Sequence, residues 1–162
     1  MKNRNKPKVT LLVGKVACGK TTYAREQQKK GGNVFLSLDE LQLGVFGQNP
    51  TREQLDSSYD GCESYLKRMA LSFLSNNVNV FLDWGFWSRN SRIETQKYFS
   101  DQGYEVSQIY FDVPFSVRLQ RNQARNSGSD LHSFKIEEKD LALFDSFFEQ
   151  PNADDEYTVV CA

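Results

Sequence analysis

The residues with the clearest chemical purpose are Gly14, Lys15, Val16, Ala17, Cys18, Gly19, Lys20, Thr21 and Thr22, which read GKVACGKTT directly after VTLLV. Gly14 to Thr21 fits the pattern G-x-x-x-x-G-K-[ST] in full. Glycines at these points let several backbone N–H groups converge on one anion. The helix expected to follow adds its positive dipole end. Lys20 adds a point charge for the β- and γ-phosphates, and the Thr21 hydroxyl is a ligand for Mg²⁺. The expected ligand is therefore a nucleoside triphosphate, taken as ATP, with Mg²⁺. Cys18 reads as a small space-filler, with a redox role as the alternative.

Two acids stand where two apolar runs end. Asp39 follows VFLSL and Asp83 follows VNVFL. Parallel strands would bring both carboxylates to the edge that carries the phosphate loop. An acid after an apolar strand can hold Mg²⁺ through water, and a hydroxyl attacking a γ-phosphate needs a base; either acid could serve. The bland alternatives are a helix N-cap at Asp39 and a turn residue at Asp83, before Gly85.

PFSVRLQRNQARN places Arg118, Arg121 and Arg125 at helical spacing, with no acid from 114 to 129. Such a face suits the charge on a transferring phosphoryl group, and a mobile cationic lid over about 114–133 would exclude water. Arg121 and Arg125 are the stronger choices. Arg118 has the acidic C-terminal region as an alternative partner.

DWGFWSR is unusually aromatic. Trp84, Phe86 and Trp87 either stack a planar acceptor or cover the sheet edge as core. Arg89 and Arg92 either grip an acceptor phosphate or are solvated helix residues. Lone His132 reads as surface.

The elements that must position these groups alternate. Strands are predicted at 8–14, 34–38, 78–83, 104–113 and 157–162. Helices are predicted at 20–30, 52–76 (with a bend or break at Gly61), 89–102, 115–126 and 136–148. Alternation of this kind implies a mostly parallel sheet covered on both faces. The 162 residues make one domain, with 1–6 as a flexible tail. Net charge is −1, although 1–30 is basic and 137–156 acidic. That balance gives no reason to expect a membrane or long nucleic-acid partner. Three scattered cysteines, no signal-peptide core and no long apolar run point to the cytoplasm.

In order, GKVACGKTT, LSLDEL, FLDWGFWSRNSR and VPFSVRLQRNQARN resemble the small P-loop kinases, AAA-type ATP-binding proteins grouped with zeta toxins, chloramphenicol phosphotransferase and polynucleotide 5′-hydroxyl kinase domains. The resemblance implies a three-layer α/β P-loop NTPase fold of the nucleoside-kinase type, with a five-stranded sheet and a helical lid. It implies that Asp39 is the base for an acceptor hydroxyl, and that Arg121 and Arg125 are lid arginines, with Arg121 also touching the nucleotide. Asp83, Gly85, Arg89 and Arg92 match the acid–x–Gly segment with its following basic residues. FFEQPNADDEYTVV looks like the segment that closes the adenine side. No sugar-nucleotide pocket of the zeta-toxin kind is recognisable, and no phosphatase domain is attached. The acceptor therefore stays open among small molecules, nucleosides and nucleic-acid 5′-hydroxyl ends. A nucleotide-dependent switch is the competing class, although no N-K-x-D guanine signature is present.

Overall fold

A computed structural model describes residues 6–128 and 133–161. His132, most of the predicted tail and part of the predicted 114–133 lid lie outside them. The elements are β1 (Lys8–Gly14), α1 (Lys20–Lys29), β2 (Asn33–Ser37), α2 (Leu38–Phe46), α3 (Arg52–Ser75), β3 (Asn79–Asp83), α4 (Arg89–Ser100), β4 (Glu105–Asp112), α5 (Phe115–Ser127), α6 (Glu138–Ser146) and β5 (Thr158–Cys161).

The five strands form one sheet in the order β2-β3-β1-β4-β5, with every pairing parallel. β1 is central and buried from Val9 to Gly14, as its continuous apolar run requires. Side-chain alternation splits its residues between two cores. Val9, Leu11 and Val13 join Leu66, Ala70 and Leu74 of α3 and Phe99 of α4 on one face. Leu12 joins Ala24 of α1, Phe35, Phe81 and Phe111 on the other. Helices thus cover both faces, giving three layers.

Chain order reverses across β1, whose neighbours are β3 and β4. A crevice opens beyond the carboxyl ends of the strands at such a point. Register aligns Ser37 with Asp83, and Gly14 with Phe111, so the two strand-end acids and the glycine loop reach the same edge.

Two expectations need correction. Residues 38–46 form a helix, and β2 stops at Ser37 because the Ser37 hydroxyl accepts from the Glu40 N–H and caps α2. Gly61 does not break α3, which runs unbroken from a capping box at Thr51 and Gln54. Burial of Leu66, Ala70 and Leu74 carries the helix past the glycine's cost of about 1 kcal/mol.

Candidate functional site

The loop between β1 and α1 is built by backbone geometry. Gly19 lies at φ 99 and Ala17 at φ 62, both left-handed. An alanine held there costs about 1–3 kcal/mol, strain of the sort found at ligand clamps. A side chain at Gly14 would lie 2.6 Å from Cys18 Sγ and 3.1 Å from Phe111 Cβ. Cys18 is buried, so its sulfur fills the inside of the loop. Lys20 Nζ donates to the carbonyls of Gly14 (3.0 Å) and Lys15 (3.1 Å), and lies 3.6 Å from Cys18 Sγ. Burial pulls the Lys20 ammonium down, but Cys18, Asp83 and Asp39 outweigh it and hold the group above the ordinary lysine value.

Asp39 sits in the first turn of α2, not at its N-cap. It opens to the cleft, yet the walls around it displace enough water to matter. That desolvation, with the nearby Asp83, pushes its carboxyl up to about 6, against Lys20 and Arg125. Burial also raises Asp83, opposed by Lys20 and by the backbone N–H of Gly85. Two carboxylates therefore share one lysine. The Tyr59 phenol from α3 donates to the Trp84 carbonyl (3.3 Å), and burial with Glu63, Asp39 and Asp60 pushes it to about 12.

The α5 arginines do not share one environment. Arg118 is buried and forms a two-bond fork onto Asp145 of α6, at 2.9 and 2.5 Å. It also donates to the carbonyls of Val113 (3.1 Å) and Val16 (3.3 Å), so it ties α5, α6 and the phosphate loop together. Arg121 Nη1 donates to the Cys18 carbonyl (3.3 Å). Arg125 donates to Asn122 Oδ1 (2.9 Å). Asn122 and Asn126 both hold the Ile136 carbonyl, which fixes the approach to α6 over the site.

Some of these groups line one cleft of about 1310 Å³; Gly14, Lys15 and the Arg118–Asp145 fork lie outside its lining, with the Lys15 ammonium 3.8 Å from Asp145. The cleft contains Val16 to Thr22 of the loop, Asp39, Asp83, Trp84, Arg121 and Arg125. Single-ligand pockets run to about 300–1,000 Å³, so this one has room for two substrates. Thr21 and Asp83 supply hard oxygens suited to Mg²⁺. No group of three His, Cys, Asp or Glu among the described residues could hold a metal alone, so phosphate oxygens would have to complete the shell.

Arg89 and Arg92 do not line this cleft. Arg92 is buried and donates to the carbonyls of Phe86 (2.8 Å) and Trp87 (3.3 Å). Burial pulls its guanidinium below the usual arginine value, against Asp155 and Glu149. Arg89 reaches Asp155 through Nε (3.3 Å), and its backbone N–H donates to Glu149 (2.6 Å). Both arginines serve the turn between β3 and α4, where Gly85 and Phe86 are left-handed at φ 89 and φ 48. Trp84 and Phe86 belong to the core and also form cleft wall, while Trp87 packs against Phe144 at 5.4 Å. Sequence reasoning did not single out Gln42, Arg52, Leu55, Asp56 and Tyr59, the α2 and α3 side of the cleft. The α2 part had a signal, the Ser37-x-x-Glu40 spacing of a capping box.

Sheet, helices and glycine loop together make this a three-layer α/β protein with a P-loop fold. The AAA domain model AAA_33 matches residues 9–151, and the chain belongs to that family. Comparison with curated proteins gave no match. Among solved structures, a putative kinase from Chloroflexus aurantiacus superposes with a TM-score of 0.72 at 19% identity, covering 97% of this chain and 89% of that one. The APS kinase of Mycobacterium tuberculosis, in complex with AMPPNP and APS, gives 0.63 at 18% identity, over 96% and 88%. A chain of the Pnkp1/Rnl/Hen1 RNA repair complex gives 0.68 at 20% identity, over 92% of this chain and 49% of that one. At these identities the likeness is one of fold.

Proposed function

We propose that the chain is an ATP-dependent kinase that transfers the γ-phosphoryl group to a hydroxyl. The observation that carries this reading is Asp39, a carboxyl raised to about 6 and set in the same cleft as Lys20, Arg121 and Arg125. A base poised near neutrality is what deprotonation of a hydroxyl calls for. The hydroxyl oxygen bonds to the γ-phosphorus as the bond to the β–γ bridging oxygen breaks. ADP leaves, and the hydroxyl proton passes to Asp39. Lys20 holds the phosphates, and Arg121 and Arg125, on an α5 lid, balance the equatorial charge. Bound Mg²⁺, held by Thr21 and Asp83, would neutralise phosphate charge. The AMPPNP complex of the tuberculosis enzyme supports ATP as the nucleotide. The three free thiols favour a cytoplasmic setting, and no helix among the described residues is long and apolar enough to cross a membrane.

The open cleft favours transfer over a pure switch, which needs no second-ligand space. The test follows label from [γ-³²P]ATP into acceptors. Asp39→Asn should lower transfer by about 10²- to 10⁴-fold with nucleotide affinity retained. Equal transfer by the variant would sink the base assignment. Nucleotide binding with no transfer to any acceptor would favour the switch.

A further inference from the structure

The cleft carries unlike charge on its two sides. Among the described lining residues, the cations are Lys20, Arg52, Arg121 and Arg125. Arg121 and Arg125 come from α5, and Lys20 is bonded within the phosphate loop. On the α2 and α3 side only Arg52 remains. It is exposed and paired with Asp56 at 3.0 Å, one helical turn away. The same side presents the carboxyls of Asp39 and Asp56. Arg89 and Arg92, which would have formed a phosphate grip, do not line the cleft: Arg89 Nε turns to Asp155, and Arg92 is buried with Nη1 on the Phe86 and Trp87 carbonyls. Recognition of a phosphorylated acceptor needs arginine or lysine forks at the acceptor itself. Here a second phosphate would instead meet Asp39 and an Arg52 already paired with Asp56.

What this side does offer is aromatic and apolar. Leu55 and Tyr59 of α3 face the cleft together with Trp84. Trp84 is 6% exposed, and its indole N–H has no hydrogen-bond partner among the described residues. A buried donor without a partner, on a residue of the cleft wall, is a place for a ligand oxygen once the wall opens to it. Indole and phenol walls suit a flat or apolar face.

We infer that the acceptor is a phosphate-free hydroxylated small molecule, uncharged or cationic, whose flat or apolar face lies against Trp84 and Leu55 and whose oxygen meets the indole N–H. Nucleotides, sugar phosphates and nucleic-acid ends are disfavoured. This rests on the kinase reading and narrows it.

The experiment uses the full chain, ATP labelled with ¹⁸O in its γ-phosphate, and a protein-free metabolite extract divided in two. One half is first treated with alkaline phosphatase, which is then removed. The expected product appears in the treated half and carries one phosphate, the labelled one. A labelled product confined to the untreated half, or bearing a second phosphate, overturns the inference and leaves the kinase reading standing. No labelled product in either half overturns the kinase reading and this inference with it. With the acceptor in hand, Trp84→Phe should raise its KM about threefold to tenfold with kcat little changed, the loss of one hydrogen bond. Asp56→Lys, at an exposed position, should raise KM for a cationic acceptor and leave the fold intact. Unchanged KM in both variants overturns the placement of the acceptor on this wall.

Discussion

Asp39 is costly to the folded protein in its ionised form, the one the proposed chemistry needs. Its pKa stands at about 6, above the ordinary carboxylate value of 3.8, so folding favours the protonated acid. That contribution is fully present below about pH 3.8 and is lost as pH rises through about 6. Asp39→Asn, neutral and nearly isosteric, should therefore melt above the native protein at pH 8. The gap should close near pH 4 in paired thermal scans. Under the proposed mechanism activity runs the other way: kcat/KM should fall as pH drops below about 6, where Asp39 is protonated. Gly14 is a second site of residue-scale consequence. Gly14→Ala pushes a methyl to 2.6 Å from Cys18 Sγ and should cost about 1–3 kcal/mol by chemical denaturation. Adding Cys18→Ala should recover part of the loss, because Phe111 Cβ at 3.1 Å still crowds the methyl. The glycine loop was legible in the sequence because its function is local: consecutive residues make the cradle. Arg92 was not, since its spacing is the same whether it meets solvent or is buried beneath the 86–87 carbonyls. Only the packing of segments more than 50 residues apart, 149–155 against 87–89, decides that.

The elements were legible in proportion to their periodicity. The strands announce themselves as apolar runs, and α3 as a long stripe. α2 was hidden because VFLSL and LQLGVF form nearly one apolar stretch, so the end of the strand and the start of the helix share a signal. Its loss from the reading also removed Gln42 from that side of the cleft. The Arg118 fork is the main brace between elements. Arg118→Ala should destabilise the protein by about 1–3 kcal/mol, because Asp145, partly buried, keeps only the longer Lys15 contact at 3.8 Å. Arg118→Lys should recover little of this, since an ammonium cannot form the fork. The same variants should weaken nucleotide binding in calorimetric titration, as the Val16 carbonyl loses its donor.

At the scale of the whole molecule, the alternating pattern was enough for a parallel sheet, and the acids and the glycine loop at one edge followed from it. What the pattern could not supply was the charge of each cleft wall, which depends on which side chains are already spent on other partners. Ligand linkage gives a global check. AMPPNP with Mg²⁺ at about 100 times its Kd should add about 2.7 kcal/mol, raising Tm by roughly 5–10 °C for a chain of this size. Lys20→Gln should abolish the shift. The three thiols form a graded series: Cys161 exposed, Cys62 partly covered and Cys18 sealed inside the phosphate loop. With a membrane-neutral alkylating reagent they become three clocks in one chain. Cys161 keeps time with the reagent, and Cys18 ticks only when the loop opens. The modification rate of Cys18, followed by mass spectrometry, thus turns a packing detail into a meter of how often the nucleotide cradle comes apart, and of how firmly a bound nucleotide holds it shut.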